Sequence, residues 1–303
     1  MLVVYSFIGR LPEYAVTTVH QLRLFYDGPV FFILDDFTSP YTSILYSKYG
    51  VEIVPYSDVV DHDFLALASV TKLTYCMRTL VGREFLFLRA FERFYLLHNF
   101  MMSSGATNVL FLELDNLLYD NPITWLPTLQ KTDIAYLFDN INRASGGVTY
   151  VKNATSLKKL LDSFNVRVRA GGETIDEMDA LYTFWKNNHE TGVVQFLPIY
   201  WNDPSIAWQA HTSALSFSDS IFDAAALGIC IGGIDPVHSD GVVKYGVHWQ
   251  FSLIDYTKCT VEWRVDDRNR RIPYIWSGSK WLRINNLHIH SKLLQPMLSL
   301  PIS

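Results

Sequence analysis

Glu113 and Asp115 close the segment Asn108-Val-Leu-Phe-Leu-Glu-Leu-Asp115, a short apolar run that ends on acids. Such a run reads as a buried strand, and in a strand residues i and i+2 share a face. Two carboxylates so placed can hold one divalent cation. A hard ion such as Mg2+ or Mn2+ takes oxygen ligands and leaves positions for phosphate oxygens. The same pair also fits two solvated acids at an ordinary strand end, so other residues must decide between the two.

Further groups able to do chemistry are spread along the chain. Arg89 and Arg93 are four apart on a helical pattern and share a face, where they could meet phosphate oxygens or pair with Glu92. The stretch Glu173-Thr-Ile-Asp176-Glu177-Met-Asp179 places several carboxylates at a helix entry. There they favour the positive end of the helix dipole, and one of them could also act as a general base. Near the end stands His288-Ile-His290-Ser-Lys292, two imidazoles and an amine at alternate positions.

The elements that must position these groups follow from periodicity. Leu2 to Tyr5 reads as a strand, Glu13 to Leu24 as a helix and Gly28 to Asp36 as turn plus strand, a unit that favours a parallel sheet. Val51 to Val54 reads as a further strand after the ambiguous segment Tyr41 to Lys48. A long helix from about Gly82 to Met102, with Phe85, Leu88, Phe91, Tyr95 and Leu96 as its apolar face, feeds the acidic strand. Ile134 to Phe138 and Val148 to Val151 read as strands separated by a loop over Asn142 to Gly147. Helices are expected over Ser156 to Phe164 and Glu173 to Asn187, and Val193 to Tyr200 closes this part. The α/β order puts a ligand crevice at the carboxyl edge of the sheet. Beyond about residue 200 the chain becomes richer in turns, Gly and Trp, and is expected to wrap over the site rather than stand alone.

Composition narrows the classes. The 303 residues are 49% hydrophobic and 15% aromatic, with 19 Phe, 17 Tyr and 8 Trp, enough for a large core and for ring-lined grooves. A formal charge of -5 and the lack of a long basic run argue against generic nucleic-acid binding. Cys76, Cys230 and Cys259 form neither a disulfide framework nor a zinc pattern. The opening Met-Leu-Val-Val-Tyr-Ser-Phe-Ile-Gly-Arg reads as a first strand rather than a leader, and no apolar run is long enough to span a membrane. The expected location is cytoplasmic, with peripheral membrane contact through aromatic surface left open. The oligomeric state is not legible.

With these elements in order, the chain resembles the GT-A family of nucleotide-sugar glycosyltransferases. The usual Asp, any residue, Asp signature is matched by Glu113-Leu114-Asp115, where Glu in the first place reaches farther. The resemblance implies an α/β, GT-A (Rossmann-like) fold with a mostly parallel central sheet flanked by helices and a C-terminal extension over the active site. Residues 1–200 would form the nucleotide-sugar and metal-binding core and 201–303 the acceptor side, in one integrated domain. It implies Mn2+ or Mg2+ on Glu113, Asp115 and a C-terminal histidine, for which His290 is the choice and His288 the competitor on the same extended face. Lys292, with Arg89 or Arg93, would approach the diphosphate of a UDP- or GDP-sugar.

The same resemblance assigns the base and ribose to Ser6, Phe7, Ile8 and Arg10, beside Gly9, with Asp35 or Asp36. It assigns the donor sugar to Asn142, Ser145, Gly146 and Gly147. Asp176 is the first choice of acceptor base, ahead of Glu177 and Asp179. Asp223, Asp235 and Trp249 would meet a glycan or glycoconjugate acceptor, with Trp263 and Trp276 as further rings. The implied reaction is metal-dependent transfer of a sugar to a hydroxyl, with inversion as the working choice. A glycan-binding module would not need the acidic pair and distant His and Lys, and a phosphohydrolase would show a denser ligand set. A dinucleotide oxidoreductase lacks its glycine fingerprint here.

Overall fold

The computed structural model describes residues 1–71, 73, 85–140, 142–171, 176–202, 215–217, 219–233 and 259–301. Strands β1 (Leu2–Phe7), β2 (Val30–Leu34), β3 (Glu52–Pro55) and β4 (Val109–Leu112) alternate with helices α1 (Tyr14–Arg23), α2 (Pro40–Tyr49), α3 (Tyr56–Val59), α4 (His62–Val70) and α5 (Leu86–Ser104). The short β5 (Asn116–Leu118) and α6 (Leu126–Leu129) precede β6 (Ile134–Asn140) and β7 (Arg143–Val151). Helices α7 (Ala154–Ala170) and α8 (Glu177–Asn188) lead to β8 (Val194–Leu197).

Local chemistry sets these boundaries. The ambiguous segment after Asp36 is helix α2 because Ser39 caps its first turn, Pro40 opens it and Gly50 closes it in the left-handed region at φ 59°. Gly105 ends α5 in the same way at φ 68°. Asn153 caps α7 by accepting the Ser156 N–H at 2.9 Å.

Seven strands form one sheet in the order β3-β2-β1-β4-β7-β6-β8. Every neighbouring pair is parallel except the two that β7 makes. The fold is therefore a mixed α/β one with a mostly parallel central sheet flanked by helices. The carboxyl ends of the other six strands and the start of β7 share one edge, where such sheets bind ligands. Along β1 the faces alternate. Val4 joins a core with Ile33 and residues of α5, α7 and α8, while Val3 and Tyr5 join another with α1 and α2. β4 is Val-Leu-Phe-Leu, buried throughout, as an interior strand covered on both faces must be.

Two sequence expectations are corrected here. The loop expected over Asn142 to Gly147 is strand from Arg143 onward, and irregular pairing with β6 absorbs its small residues. The acidic strand ends at Leu112, so Glu113 and Asp115 stand on the turn that follows and owe their proximity to that turn rather than to strand alternation.

The later part of the chain is built around a second sheet of β9 (Ser220–Ile221), β10 (Val261–Val265), β11 (Arg271–Trp276) and β12 (Trp281–Ile284), in the order β10-β11-β12-β9. A small helix, α9 (Ala226–Gly232), lies between β9 and β10 in the chain. After β12 the chain continues as β13 (Asn286–His288), which pairs antiparallel with β5 and sets His288 opposite Asn116. The Tyr119 N–H donates to the Asn285 carbonyl at 2.9 Å, and the Ile289 N–H donates to the Asp115 carbonyl at 2.8 Å. The C-terminal segment is thus laid directly on the acidic turn. Beneath it Leu117, Tyr119, Leu227, Ile275, Ile284 and Leu287 form a third core.

α9 packs so close to β13 that one position tolerates no side chain. A Cβ on Gly228 would lie 2.0 Å from the His288 carbonyl oxygen and 2.5 Å from its carbon, both backbone atoms held by strand pairing. Gly228→Ala is expected to lower stability by about 3 kcal/mol, the upper part of the usual overpacking range. Urea denaturation checks this against Gly232→Ala, whose Cβ would meet only the Ile289 side chain, at 3.1 Å. The Gly232 change should have the smaller effect.

Candidate metal centre

Glu113, Asp115 and His288 meet at the carboxyl edge of the sheet, each offering one ligand atom within 4.8 Å of the others. Asp115 is 6% exposed, and its Oδ2 lies 3.1 Å from His288 Nε2. Glu113 Oε2 lies 3.5 Å from the same nitrogen. His288 Nδ1 is 2.7 Å from the Ala224 carbonyl oxygen. A carbonyl only accepts, so Nδ1 carries the proton and Nε2 faces the two carboxylates. That is how metal-binding histidines are usually oriented, with the remote N–H given to an acceptor that fixes the tautomer. Two carboxylates and one imidazole make a donor set suited to Mn2+ or Mg2+. The residues therefore fit a divalent cation.

Charge in the site is balanced by buried partners. Burial opposes ionisation of Asp115, but His288 and Lys292 outweigh it and hold the carboxyl well below the usual carboxylate range. Burial would lower the His288 imidazole, yet Asp115 beside it leaves it raised overall. The Lys292 amine contacts Asp115 Oδ2, and Lys292 has φ 63°, a left-handed conformation uncommon for a side chain of this kind. Arg93 bridges the site to α8, with one guanidinium nitrogen on Glu113 and the other 2.7 Å from Glu177. Burial lowers the Arg93 pKa from its ordinary value, partly offset by Glu177 and Asp115.

The histidine that groups with the two acids is His288, not the His290 expected from the sequence. The resemblance pointed to His290, with His288 on the same face of an extended chain, but β13 ends at His288 and the chain turns, with the Lys292 N–H donating to the Ile289 carbonyl at 3.0 Å. The His290 ring lies beside that of His288, centroids 5.5 Å apart. Lys292 returns to Asp115 through the same turn.

The other expected residues divide. Arg89 pairs with Glu92, which also accepts from the Tyr56 hydroxyl at 2.6 Å, so its guanidinium is engaged there. Asp223 was expected to face an acceptor. It is instead 2% exposed and accepts backbone N–H groups from Leu227 at 2.9 Å, Gly228 at 2.8 Å and His288 at 3.0 Å. Those bonds tie α9 to β13, which makes Asp223 structural. Of the helix-entry acids, Asp176 caps α8 by accepting the Met178 N–H at 2.8 Å and faces Arg143 at 3.4 Å. Glu177 is buried on Arg93, and Asp179 pairs with Arg167 at 3.1 Å. Glu173, Asp235 and Trp249 lie outside the described residues.

At the end of β1, Ser6, Phe7 and Ile8 are partly buried and Arg10 is exposed. Gly9, at φ 110°, donates its N–H to Asp35 Oδ1 at 2.8 Å, which fixes the loop. Arg10 and Asp36 border an open cleft of about 490 Å3 with Thr38, Ser39, Pro40 and Tyr41. Asn142 is exposed on the β6–β7 turn. Ser145, Gly146 and Gly147 lie buried on β7 beside the acids, with the Gly147 carbonyl accepting the Glu113 N–H at 2.9 Å. Trp263 packs edge-on to Tyr119 at 5.6 Å, while Trp276 is 37% exposed beside Trp281.

Residues missed in the sequence include Asn116, Asn286 and Asp139. Asp139 is the penultimate residue of β6, at the ligand edge, and lines a small cavity with Tyr200, Phe222 and Leu227. Burial raises its carboxyl against the pull of Arg143 and His288. An acid ending a parallel strand was the available signal, hidden by closing that strand at Phe138.

No protein-family model matches this chain, and no curated protein sequence does. Among solved structures, the galactosyltransferase LgtC with donor and acceptor sugar analogues is similar at TM-score 0.43 and 14% identity, covering 71% of this chain and 80% of that one. Mouse xyloside xylosyltransferase 1 is similar at TM-score 0.40 and 11% identity, covering 69% and 89%. A cytidylyltransferase from Leptospira borgpetersenii is similar at 0.37 and 12%, covering 64% and 73%. At these values the likeness says nothing of residues or reaction.

Glu177 gives the site a pH signature. Burial, only partly countered by Arg93, raises its carboxyl from 4.5 to about 7. Between these values the folded chain holds a proton that the unfolded chain has released, so stability falls as pH rises through the window. Thermal melts of the parent should show that fall, and Glu177→Gln should flatten it. Carboxyl NMR should find Glu177 titrating near neutrality.

Proposed function

We propose that this chain is a metal-dependent glycosyltransferase that moves a sugar from a nucleotide-diphosphate donor to a hydroxyl of a glycan or glycoconjugate. The observation that carries the reading is the convergence of Glu113, Asp115 and His288 at the carboxyl edge, with Lys292 and Arg93 beside them. One acidic turn and one distant imidazole make a single-cation site with adjacent fixed cations, the composition a diphosphate leaving group needs.

When bound there, Mn2+ or Mg2+ neutralises charge that develops on the departing diphosphate. Glu113, Asp115 and His288 hold it, and Lys292 offers its amine to the phosphate oxygens. Ser6, Phe7, Ile8, Arg10, Asp35 and Asp36 border the place for base and ribose, and Ser145 and Gly146 that for the sugar. In the inverting course Asp176 takes the proton of the acceptor hydroxyl. The acceptor oxygen then bonds to the anomeric carbon as the bond from that carbon to the diphosphate oxygen breaks, and the nucleoside diphosphate leaves. Asp176 suits this role by its position at the α8 entry, beside Arg143 and within the field of Asp139.

Incubation with a panel of UDP- and GDP-sugars and Mn2+ should give cleavage of one donor and transfer to added glycan. Asp115→Ala should lower that rate at least about 100-fold, since several kcal/mol of charge stabilisation depends on the cation. Parental activity with Asp115→Ala, or Mn2+-independent cleavage, would refute the metal role. Asp176→Asn keeps a good helix cap and should lower transfer about 100-fold with donor affinity unchanged, measured by single-turnover assay and calorimetry. Full transfer would remove Asp176 as the base.

A further inference from the structure

A buried amide beside the acidic pair has a donor without a partner. Asn116 is 0% exposed, and its Nδ2 makes no hydrogen bond among the described residues. Its orientation is fixed by a chain of bonds. The Asp223 N–H donates to Asn286 Oδ1 at 3.0 Å, so Asn286 presents its Nδ2 on the other side. That nitrogen donates to the Asp223 carbonyl at 2.9 Å and to Asn116 at 2.8 Å. The Asn116 atom receiving it must be Oδ1, which turns Nδ2 the opposite way.

That way lies Glu113. The point a Gly147 Cβ would occupy is 3.0 Å from Asn116 Nδ2 and 3.0 Å from Glu113 Oε2, so donor and carboxylate oxygen crowd the same space over the glycine. A buried N–H left unmade is costly, and the acceptors beside it over Gly147 are the Glu113 carboxylate and the Ser145 hydroxyl, 3.3 Å from the same point, of which the carboxylate is the stronger. We propose that Asn116 is a positioning residue for Glu113: its amide donates to Oε2, the oxygen that faces His288, and holds it toward the cation shared with Asp115 and His288 while Arg93 holds the other oxygen. The inference rests on the metal reading above. It accounts for a long Glu in the first acidic place, since its added reach brings the carboxylate over Gly147 to the amide.

The test is a double-mutant cycle on Mn2+ affinity of the full chain, read by titration calorimetry and Mn2+ electron paramagnetic resonance without any sugar donor. Asn116→Ala should weaken Mn2+ about 10-fold or more, the usual effect of losing a group that orients a ligand. The same change should have little effect in a Glu113→Asp background, whose shorter side chain does not reach the amide. Thermal melts in EDTA report any general loss of fold, and Asn116→Ser repeats the cycle if Ala does not fold. Mn2+ affinity within twofold of the parent, or equal weakening in both backgrounds, overturns the proposal. Absence of Mn2+ binding by the parent chain overturns the metal reading itself and this role with it.

Discussion

The contact on which the site depends is the pairing of Asp115 with His288, two buried ionisable groups 173 positions apart in sequence. Neither is stable alone in that environment, because a buried charge without a partner is heavily penalised. Each is acceptable because the other is present. Backbone bonds bring them together: β5 pairs with β13, and the Ile289 N–H reaches the Asp115 carbonyl. The acidic turn and the C-terminal segment are therefore one structure, and displacement of either would strand a charge in the other.

A second layer holds that pair in place. Asp223 collects N–H groups from α9 and from His288, and Asn286 joins it to Asn116. Gly228 permits the close approach that makes those bonds possible. On the other side, Thr18 and Gln21 of α1 bond to the carbonyls of Leu114 and Leu118. The acidic turn is clamped from both flanks by polar groups whose only exposure is to one another. Such networks are rigid when every member is satisfied, and among the described residues Asn116 Nδ2, which lies over Gly147 as Glu113 Oε2 does, has no partner.

Much of this architecture was legible in the residues. Apolar runs marked the strands, the spacing of Leu88, Phe91, Tyr95 and Leu96 marked the helix feeding the site, and the Glu113–Asp115 spacing marked the acidic pair, though as a strand end rather than the turn it is. The misreadings share a cause: each depended on what a distant segment does to local backbone. His290 was preferred by the resemblance, and alternation carried past the end of β13 left it on one face with His288; that end is set by pairing with β5. Asn142 to Gly147 read as a loop because Gly and Ser disfavour strands, yet β4 and β6 on either side supply the ladder that propensity alone would not. Asp223 read as an acceptor contact because nothing local reveals that three backbone donors converge on it.

Arg93 shows how the site and the α8 entry are coupled. Its guanidinium is nearly buried and holds Glu113 on one side and Glu177 on the other, so the charge states of these two acids are linked through it. A cation on Glu113 would draw that carboxylate from Arg93 and leave the guanidinium more fully to Glu177. An ionised Glu177 is then better compensated, and its raised pKa should relax toward the ordinary range. Asp176, adjacent to Glu177, would then stand beside a carboxylate rather than a carboxylic acid. One arginine shared by two carboxylates would thus couple occupancy at Glu113 to the protonation of Glu177, beside the proposed base.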